Sequence, residues 1–257
     1  MKPPILFIHG AFTRAQRWRP WLSYFQEAGF ECIAPSLPGH DPPDPEALKR
    51  IDFDDYVRAV REVHANFDRP PVVIGHSMGG LIAQHVAATM QCSGVVLIAS
   101  MPPWRMGTTR QAMPYMLDYL LPVVTGRPVR VNLRAAMNLV LHDMTPGEQQ
   151  EVISMFAYES GRVYRTMVFG QAPMRKGAVR CPVLVVSGGA DRLLRQSVGT
   201  ALTAFYGAEH ILVPDRGHGL VAESLIGTVA ARVRQWIERL PASTYASDPS
   251  FTSSPAL

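Results

Sequence analysis

The sequence is short of charged residues, of cysteines and of long apolar runs, and each shortage excludes a class of protein. Charged residues make up 18% of the 257 residues and hydrophobic residues 47%, which permits a sizeable core and argues against disorder. The three cysteines, Cys32, Cys92 and Cys181, are odd in number and widely spaced, so neither a disulfide framework nor a metal site is expected. They suit a reducing compartment, where thiols pack as small apolar groups.

The absence of long apolar runs and of basic runs limits the kinds of partner that the sequence predicts. The apolar run at the N-terminus, Ile5–Ile8, is too short for a signal-peptide core or a membrane span, so a cytoplasmic protein without a membrane span is expected. No Lys/Arg run with interleaved aromatics accompanies the net charge of +4, so a nucleic-acid partner is not expected. Residues 101–180 nevertheless carry ten basic and five acidic residues. A solvated basic surface explains this surplus most simply, and attraction of anionic substrates is the alternative. The oligomeric state is left open.

Six short apolar runs, rich in Val and Ile, predict the strands of a parallel sheet. They do not alternate with polar residues, which is typical of strands buried on both faces. The runs are Ile5–Ile8, Glu31–Ala34, Val72–Ile74, Val95–Ile98, Val183–Val186 and Ile211–Val213. Amphipathic helical patterns between them, such as the stripe from Phe53 to Phe67, predict a doubly wound α/β fold with right-handed crossovers.

One long stretch interrupts this alternation. Between Met101 and Lys176 no strand is evident, and four helical segments are expected, at 109–124, 133–142, 146–158 and 160–169. We therefore expect a core of residues 1–100 and 177–240, a helical cap of residues 101–176, and a Ser-, Pro- and Ala-rich C-terminal extension of residues 241–257. The cap would lie over the strand ends, where open α/β sheets bind ligands.

The strongest local motif is Gly75-His76-Ser77-Met78-Gly79-Gly80, between a predicted strand and a predicted helix. A nucleophile on such a sharp turn is held in a strained conformation with its oxygen exposed above the sheet. The chain passes so close on either side that Gly75 and Gly79 must be small. The following helix N-terminus places N–H groups and partial positive charge near a developing oxyanion.

With this motif in its strand–turn–helix context, the chain resembles the α/β-hydrolase family. The end of the first predicted strand, His9-Gly10-Ala11-Phe12, is similar to the family's His-Gly loop. The resemblance implies an oxyanion hole formed by the backbone N–H groups of Ala11 and Met78, with Phe12 as the runner-up donor and as a pocket wall. It spans residues 4–239 and implies six strands, with the sheet beginning at the third strand of larger family members.

Two further loops carry the resemblance, in the family's order Ser, Asp, His. Ser187-Gly188-Gly189-Ala190-Asp191 resembles the loop that bears the acid, and Pro214-Asp215-Arg216-Gly217-His218-Gly219 resembles the histidine loop. They imply Ser77 as nucleophile, His218 as base and Asp191 as the orienting acid. Asp215 is the alternative acid, although a residue so close to His218 in sequence is more typical of a turn. His9 and His76 match positions that are usually structural in the family.

This constellation predicts a serine hydrolase of the carboxylesterase type that needs no metal or other cofactor. Its partners would be a small, largely apolar acyl substrate and water. A serine at this position speaks against haloalkane dehalogenases and most epoxide hydrolases of the fold. It does not separate esterases from lactonases, thioesterases, carbon–carbon bond hydrolases or cofactor-free perhydrolases. A non-catalytic ligand receptor is the remaining alternative, and it is disfavoured because all three residues are present.

Residues of the predicted cap suggest the character of the pocket. Nine of the twelve methionines fall between residues 101 and 174. Ordinary helix packing explains them, and the sharper hypothesis is a permissive apolar pocket, since methionine adapts to varied shapes. The candidate pocket residues are Phe12, His40, Trp104, Met106, Met116 and Leu220. An anionic substrate, as in a carbon–carbon bond hydrolase, would use cap arginines such as Arg105 or Arg110.

Overall fold

The computed structural model describes residues 2–241 and 244, and it contains one six-stranded sheet in which every strand pair is parallel. The strand order is β2-β1-β3-β4-β5-β6. The strands are β1 (Ile5–Ile8), β2 (Cys32–Ile33), β3 (Val72–His76), β4 (Gly94–Ile98), β5 (Val183–Gly188) and β6 (Glu209–Val213). This confirms the predicted doubly wound α/β fold with six parallel strands.

Burial on both faces is confirmed for the central strands only. All four residues of β1 are completely buried, and β3, β4 and β5 are nearly so. The two edge strands differ: neither residue of β2 is fully buried, and in β6 only Ile211 is. An edge strand has only one neighbouring strand and fewer residues packed against it. Its apolar run therefore predicts more burial than the strand has.

Helices cover both faces of the sheet. The core helices are α1 (Arg19–Glu27), α2 (Pro45–Leu48), α3 (Phe53–His64), α4 (Met78–Thr89), α10 (Gln196–Tyr206) and α11 (Ala231–Glu238). One hydrophobic cluster joins α1 and α11 to one face of the sheet, and a second joins α3, α4 and α10 to the other. Side chains alternate along β1 accordingly, because Ile5 and Phe7 enter the first cluster, whereas Leu6 and Ile8 enter the second.

The insertion between β4 and β5 is helical, as predicted, but its helices are shorter and more broken than expected. They are α5 (Met113–Met116), α6 (Leu120–Thr125), α7 (Leu133–Ala135), α8 (Pro146–Ser154) and α9 (Gly161–Phe169). A 3₁₀ turn, Leu117–Tyr119, divides the first predicted segment, and a π-helical turn, Ala136–Val140, completes the second. We call residues 101–176 the cap, as the sequence suggested. The predicted C-terminal extension lies outside the described residues except for Pro241 and Thr244.

Local sequence signals explain the helix starts that matter for the site. Asp52 caps α3 through the N–H groups of Asp54 and Asp55, and the Asp55 carboxylate accepts from the Asp52 N–H. Thr145 and Glu148 form the equivalent capping box at α8.

All three cysteines are free; Cys92 is buried, and Cys32 and Cys181 are half-buried. No helix among the described residues is both long and apolar enough to cross a membrane.

Candidate active site

Ser77 lies on the tight turn between β3 and α4, in a backbone conformation that side chains rarely adopt. Its φ is 54° and its ψ is −118°, which costs about 1–3 kcal/mol and persists only where surrounding structure enforces it. Three hydrogen bonds do so: the Ser77 N–H donates to Ile98 O at 3.0 Å, and the Ser77 carbonyl accepts from Gly80 and Met101. The turn therefore holds the hydroxyl at the carboxyl end of the central strands.

The two glycines that flank Ser77 are required by close backbone contacts. A Cβ on Gly75 would lie 2.2 Å from Gly79 O, and a Cβ on Gly79 would lie 2.2 Å from Ile8 O. These obstacles are backbone atoms of the strands and the helix, so they cannot rotate away. The structure thus supplies the reason that the sequence pattern suggested for both glycines.

Ser77, His218 and Asp191 converge although they are far apart in the sequence. The Ser77 hydroxyl lies 3.0 Å from His218 Nε2, and His218 Nδ1 lies 2.8 Å from Asp191 Oδ2. Both the imidazole and the carboxylate are almost completely buried. Their order of contact, hydroxyl to imidazole to carboxylate, is the arrangement in which a histidine can accept a proton from a serine.

The environment of Asp191 favours its ionised form. Burial acts to raise its pKa, but the charge and hydrogen bond of His218 and the N–H groups of Leu194 and Leu193 lower the pKa below its ordinary value. Asp215, the alternative acid, is exposed, and neither a hydrogen bond nor an ion pair joins it to His218. Of the two predicted acids, the structure brings only Asp191 to the imidazole.

The predicted oxyanion donors differ in their access to the site. Neither the Ala11 N–H nor the Met78 N–H has an acceptor among the described residues. Ala11 borders the cavity above Ser77, whereas Met78 is completely buried and is not part of the cavity wall. The runner-up donor, Phe12, is already engaged, since its N–H points to Glu159 Oε2 at 3.4 Å.

The cavity beside Ser77 has a largely apolar wall, built by the core loops and the cap. Five methionines contribute to it, Met101, Met106, Met116, Met144 and Met167. Phe12, Tyr119 and Tyr164 form an aromatic wall with ring centroids 5.1–6.2 Å apart. Methionine and aromatic side chains together provide a polarisable, adaptable lining for apolar groups.

Three of the six predicted pocket residues lie on this cavity and three do not. Phe12, Met106 and Met116 border it. The prediction is wrong for His40, Trp104 and Leu220. His40 is fully buried against Glu159, and Leu220 is fully buried in the first hydrophobic cluster. Trp104 packs on Phe205 of α10, with ring centroids 5.5 Å apart.

A buried carboxylate, which no sequence pattern had indicated, joins the cap to the core. Glu159 is completely buried; its Oε1 accepts from Tyr56 Oη at 2.7 Å and from the Ser160 N–H at 2.8 Å, and its Oε2 lies 3.2 Å from His40 Nε2. Burial opposes protonation of His40, but the Glu159 charge and hydrogen bond raise the pKa of His40 above its ordinary value. The same carboxylate accepts from Phe12, whose carbonyl accepts from Ala157 at 2.8 Å. Glu159 thus fixes the loop that carries Ala11.

We expect loss of this carboxylate to destabilise the protein strongly. Glu159→Ala would leave the buried donors of Tyr56, Ser160 and His40 without their acceptor, which together typically costs about 3–5 kcal/mol. Urea unfolding at neutral pH measures this change in the free energy of unfolding. Glu151→Ala, which removes an exposed glutamate of α8, is the matched control and should stay within about 0.5 kcal/mol of the wild type. Equal stability of the two variants would contradict the assigned role of Glu159.

Two other histidines, the buried His9 and the half-buried His76, support the site in their neutral form. His9 accepts from the Leu37 N–H at 2.9 Å and donates to Gly10 O, and His76 Nε2 donates to the carbonyl of His218 at 3.0 Å. Burial lowers the pKa of each to about 3, and the neighbouring rings of His40 and His218 contribute to this lowering. His76 therefore positions the loop that carries His218, in keeping with the structural role implied by the family resemblance.

These histidines predict a loss of stability in acid. Their pKa values are about 3 in the folded state and about 6.5 when unfolded, so only the unfolded chain takes up protons as the pH falls below 6.5. The pair should remove about 4 kcal/mol of stability between pH 7 and pH 5. His40 acts in the opposite direction, because its raised pKa stabilises the fold below pH 6.5 and that contribution is lost as the pH rises. Urea unfolding at both pH values tests the balance: His9→Gln should reduce the acid loss by about half, and an unchanged loss would refute its share.

Comparisons with known proteins agree with this geometry. The sequence profile of the alpha/beta hydrolase family matches residues 5–232, so the chain belongs to that family. The predicted resemblance is thereby confirmed, as is the prediction of an α/β-hydrolase enzyme.

The similar proteins whose names state an activity have low sequence identity to this chain. The chain is 28% identical over 196 residues to a pyrethroid hydrolase of Sphingobium wenxiniae, an alignment that covers 71% of this chain and 69% of that protein. A solved pyrethroid hydrolase from Sphingobium faniae superposes with a TM-score of 0.73 at 23% identity, covering 94% of this chain and 99% of that one. A methylesterase from Arabidopsis superposes with a TM-score of 0.73 at 16% identity, covering 91% and 98%. The two structural matches establish a shared fold.

Proposed function

We propose that this protein hydrolyses carboxylic esters of small, largely apolar substrates through an acyl-enzyme on Ser77. The observation that carries the proposal is the chain of contacts from Asp191 through His218 to Ser77, at 2.8 Å and 3.0 Å, beside an apolar cavity. The pyrethroid hydrolase and the methylesterase to which the chain is similar support ester hydrolysis as the reaction.

The reaction proceeds in two stages, acylation and deacylation of Ser77, and His218 moves a proton in each. As the Ser77 oxygen attacks the ester carbonyl, its proton passes to His218 Nε2, and Asp191 stabilises the imidazolium. The N–H groups of Ala11 and Met78 hold the oxyanion of the tetrahedral intermediate. The intermediate collapses, the alcohol leaves with the proton from His218, and the acyl group remains on Ser77. Water then attacks the acyl carbonyl while His218 takes its proton; the acid is released and the Ser77 hydroxyl is restored.

A substrate panel tests the reaction class. Aryl esters of short to medium chain length, thioesters and lactones are offered to the wild type, with Ser77→Ala as the blank. The apolar, methionine-rich wall predicts turnover of several esters rather than one, and an acyl adduct on the peptide that contains Ser77 is expected by mass spectrometry. Turnover restricted to thioesters or lactones would replace the ester proposal with those alternatives. Turnover that Ser77→Ala retains in full would refute the mechanism.

The cytoplasmic location remains a prediction.

A further inference from the structure

Arg17 places a charged side chain in the largely apolar cavity beside Ser77. It follows the loop that carries Ala11, in the 3₁₀ turn Ala15–Trp18, and it borders the same cavity as Ser77 and His218. Among the residues that the structure describes, no other Lys, Arg, Asp or Glu lines this cavity. Only 7% of Arg17 is exposed. Sequence reasoning did not select it, and the two arginines that it did select, Arg105 and Arg110, do not border the cavity.

The guanidinium of Arg17 has no partner within the described part of the chain. It makes no hydrogen bond, and no carboxylate lies within 4 Å of it. Burial lowers the pKa of Arg17 to about 10, with Glu151 and Glu148 of α8 opposing the shift from a distance, so the group is protonated at neutral pH. The carboxylate of Glu148 is already occupied by Thr145 and Ser224.

A buried cation without a partner destabilises the folded protein, so its presence in the cavity calls for a functional explanation. A guanidinium that borders a largely apolar cavity without a counter-charge is less stable than the same group in bulk water. Its planar donors match a carboxylate, with which two parallel charge-assisted hydrogen bonds can form. A ligand that brings a carboxylate into the cavity would satisfy these donors where the protein does not.

We propose that Arg17 binds a carboxylate of the substrate, so that the preferred substrates are half-esters of dicarboxylic acids or comparable anionic esters. This inference rests on the proposed function, because it places the ester carbonyl at Ser77. It adds a second anchor: an apolar spacer lies along the methionine and aromatic walls, and the free carboxylate meets Arg17. Arg17 is thus a specificity-determining residue of the site.

Benzyl half-esters of succinic to suberic acid, compared with neutral benzyl esters of monocarboxylic acids of equal length, test the proposal. For the best spacer length, the wild type should show kcat/KM about tenfold to a hundredfold higher for the half-ester. In Arg17→Met this ratio should fall to near one, and in Arg17→Lys it should be intermediate. Arg110→Met, which alters an exposed cap arginine outside the cavity, is the matched control and should keep the wild-type ratio. A wild-type ratio near one at every length would overturn the proposal.

A binding measurement separates this inference from the proposed function. Ser77→Ala cannot turn the half-ester over, so calorimetry reports its affinity directly. Adding Arg17→Met should weaken that affinity by about tenfold or more. Equal affinity in the two variants would overturn the carboxylate site, even if neutral esters are hydrolysed through Ser77. Conversely, loss of binding with Arg17→Met would support the site even if no ester is hydrolysed. Thermal unfolding of Arg17→Met checks its fold, and removal of an unpaired buried charge should leave Tm equal or higher.

Discussion

Replacing Ser77 with alanine is expected to reduce kcat/KM for the best ester by about 10⁵ to 10⁶. The change removes the nucleophile and nothing else in the machinery, because the backbone bonds to Ile98, Gly80 and Met101 do not involve the hydroxyl. The remaining rate would come from the oxyanion donors and from binding alone. Steady-state kinetics with an aryl ester measures the loss, and labelling by a fluorophosphonate probe should disappear with it.

The matched control for this experiment is Ser154→Ala. Ser154 is an exposed serine of α8 whose hydroxyl donates to Glu151 O. It should keep the wild-type rate and the label. A Ser77→Ala protein that is folded and retains more than about a thousandth of the activity would show that another group carries the chemistry.

Asp191→Asn is expected to lower kcat by about 10⁴ without unfolding the protein. The Asn side chain can still accept from the N–H groups of Leu193 and Leu194, which bond to Oδ1 of Asp191. Its amide, however, would donate toward His218 Nδ1 and force the imidazole proton onto Nε2. That nitrogen could then no longer take the proton of Ser77, and no negative charge would stabilise the imidazolium.

Asp215→Asn provides the comparison within the same structure. Asp215 lies three residues from His218 in the sequence but is exposed, so its variant should keep kcat within about twofold of the wild type. A large loss for Asp215→Asn and a small one for Asp191→Asn would reverse the assignment of the acid. Pre-steady-state acylation kinetics for both variants would show whether the loss falls on the attack by Ser77.

The parts of the site that follow from short-range backbone rules could be predicted from the sequence. Gly75 and Gly79 mark a turn on which only a small residue fits. The apolar runs before Ser77, Asp191 and His218 are the strands β3, β5 and β6 of one parallel sheet. Since the carboxyl ends of parallel strands share one edge, residues that follow those strands must come together. The edges β2 and β6 were less well predicted, because burial there depends on neighbours that an edge strand lacks.

The cap was predicted less well, because its contacts depend on packing that periodicity does not encode. Trp104 and Leu220 are apolar residues near the site in sequence, yet one packs on α10 and the other in the core under the sheet. Glu159 and Arg17 carry charge, which in a sequence suggests a surface position. Both are buried for reasons visible only in three dimensions: Glu159 finds four donors, and Arg17 faces the cavity.

The methionines that line the cavity make the protein sensitive to oxidation. Each thioether can be oxidised to a sulfoxide, which turns a flexible apolar contact into a polar, chiral one. Peroxide could therefore inactivate this enzyme while its serine, histidine and aspartate remain chemically intact, because sulfoxides in the wall of the cavity would weaken the binding of apolar substrates. Methionine sulfoxide reductases would be able to reverse such damage, so that adaptability toward ligands and vulnerability to oxidants come from the same five sulfur atoms.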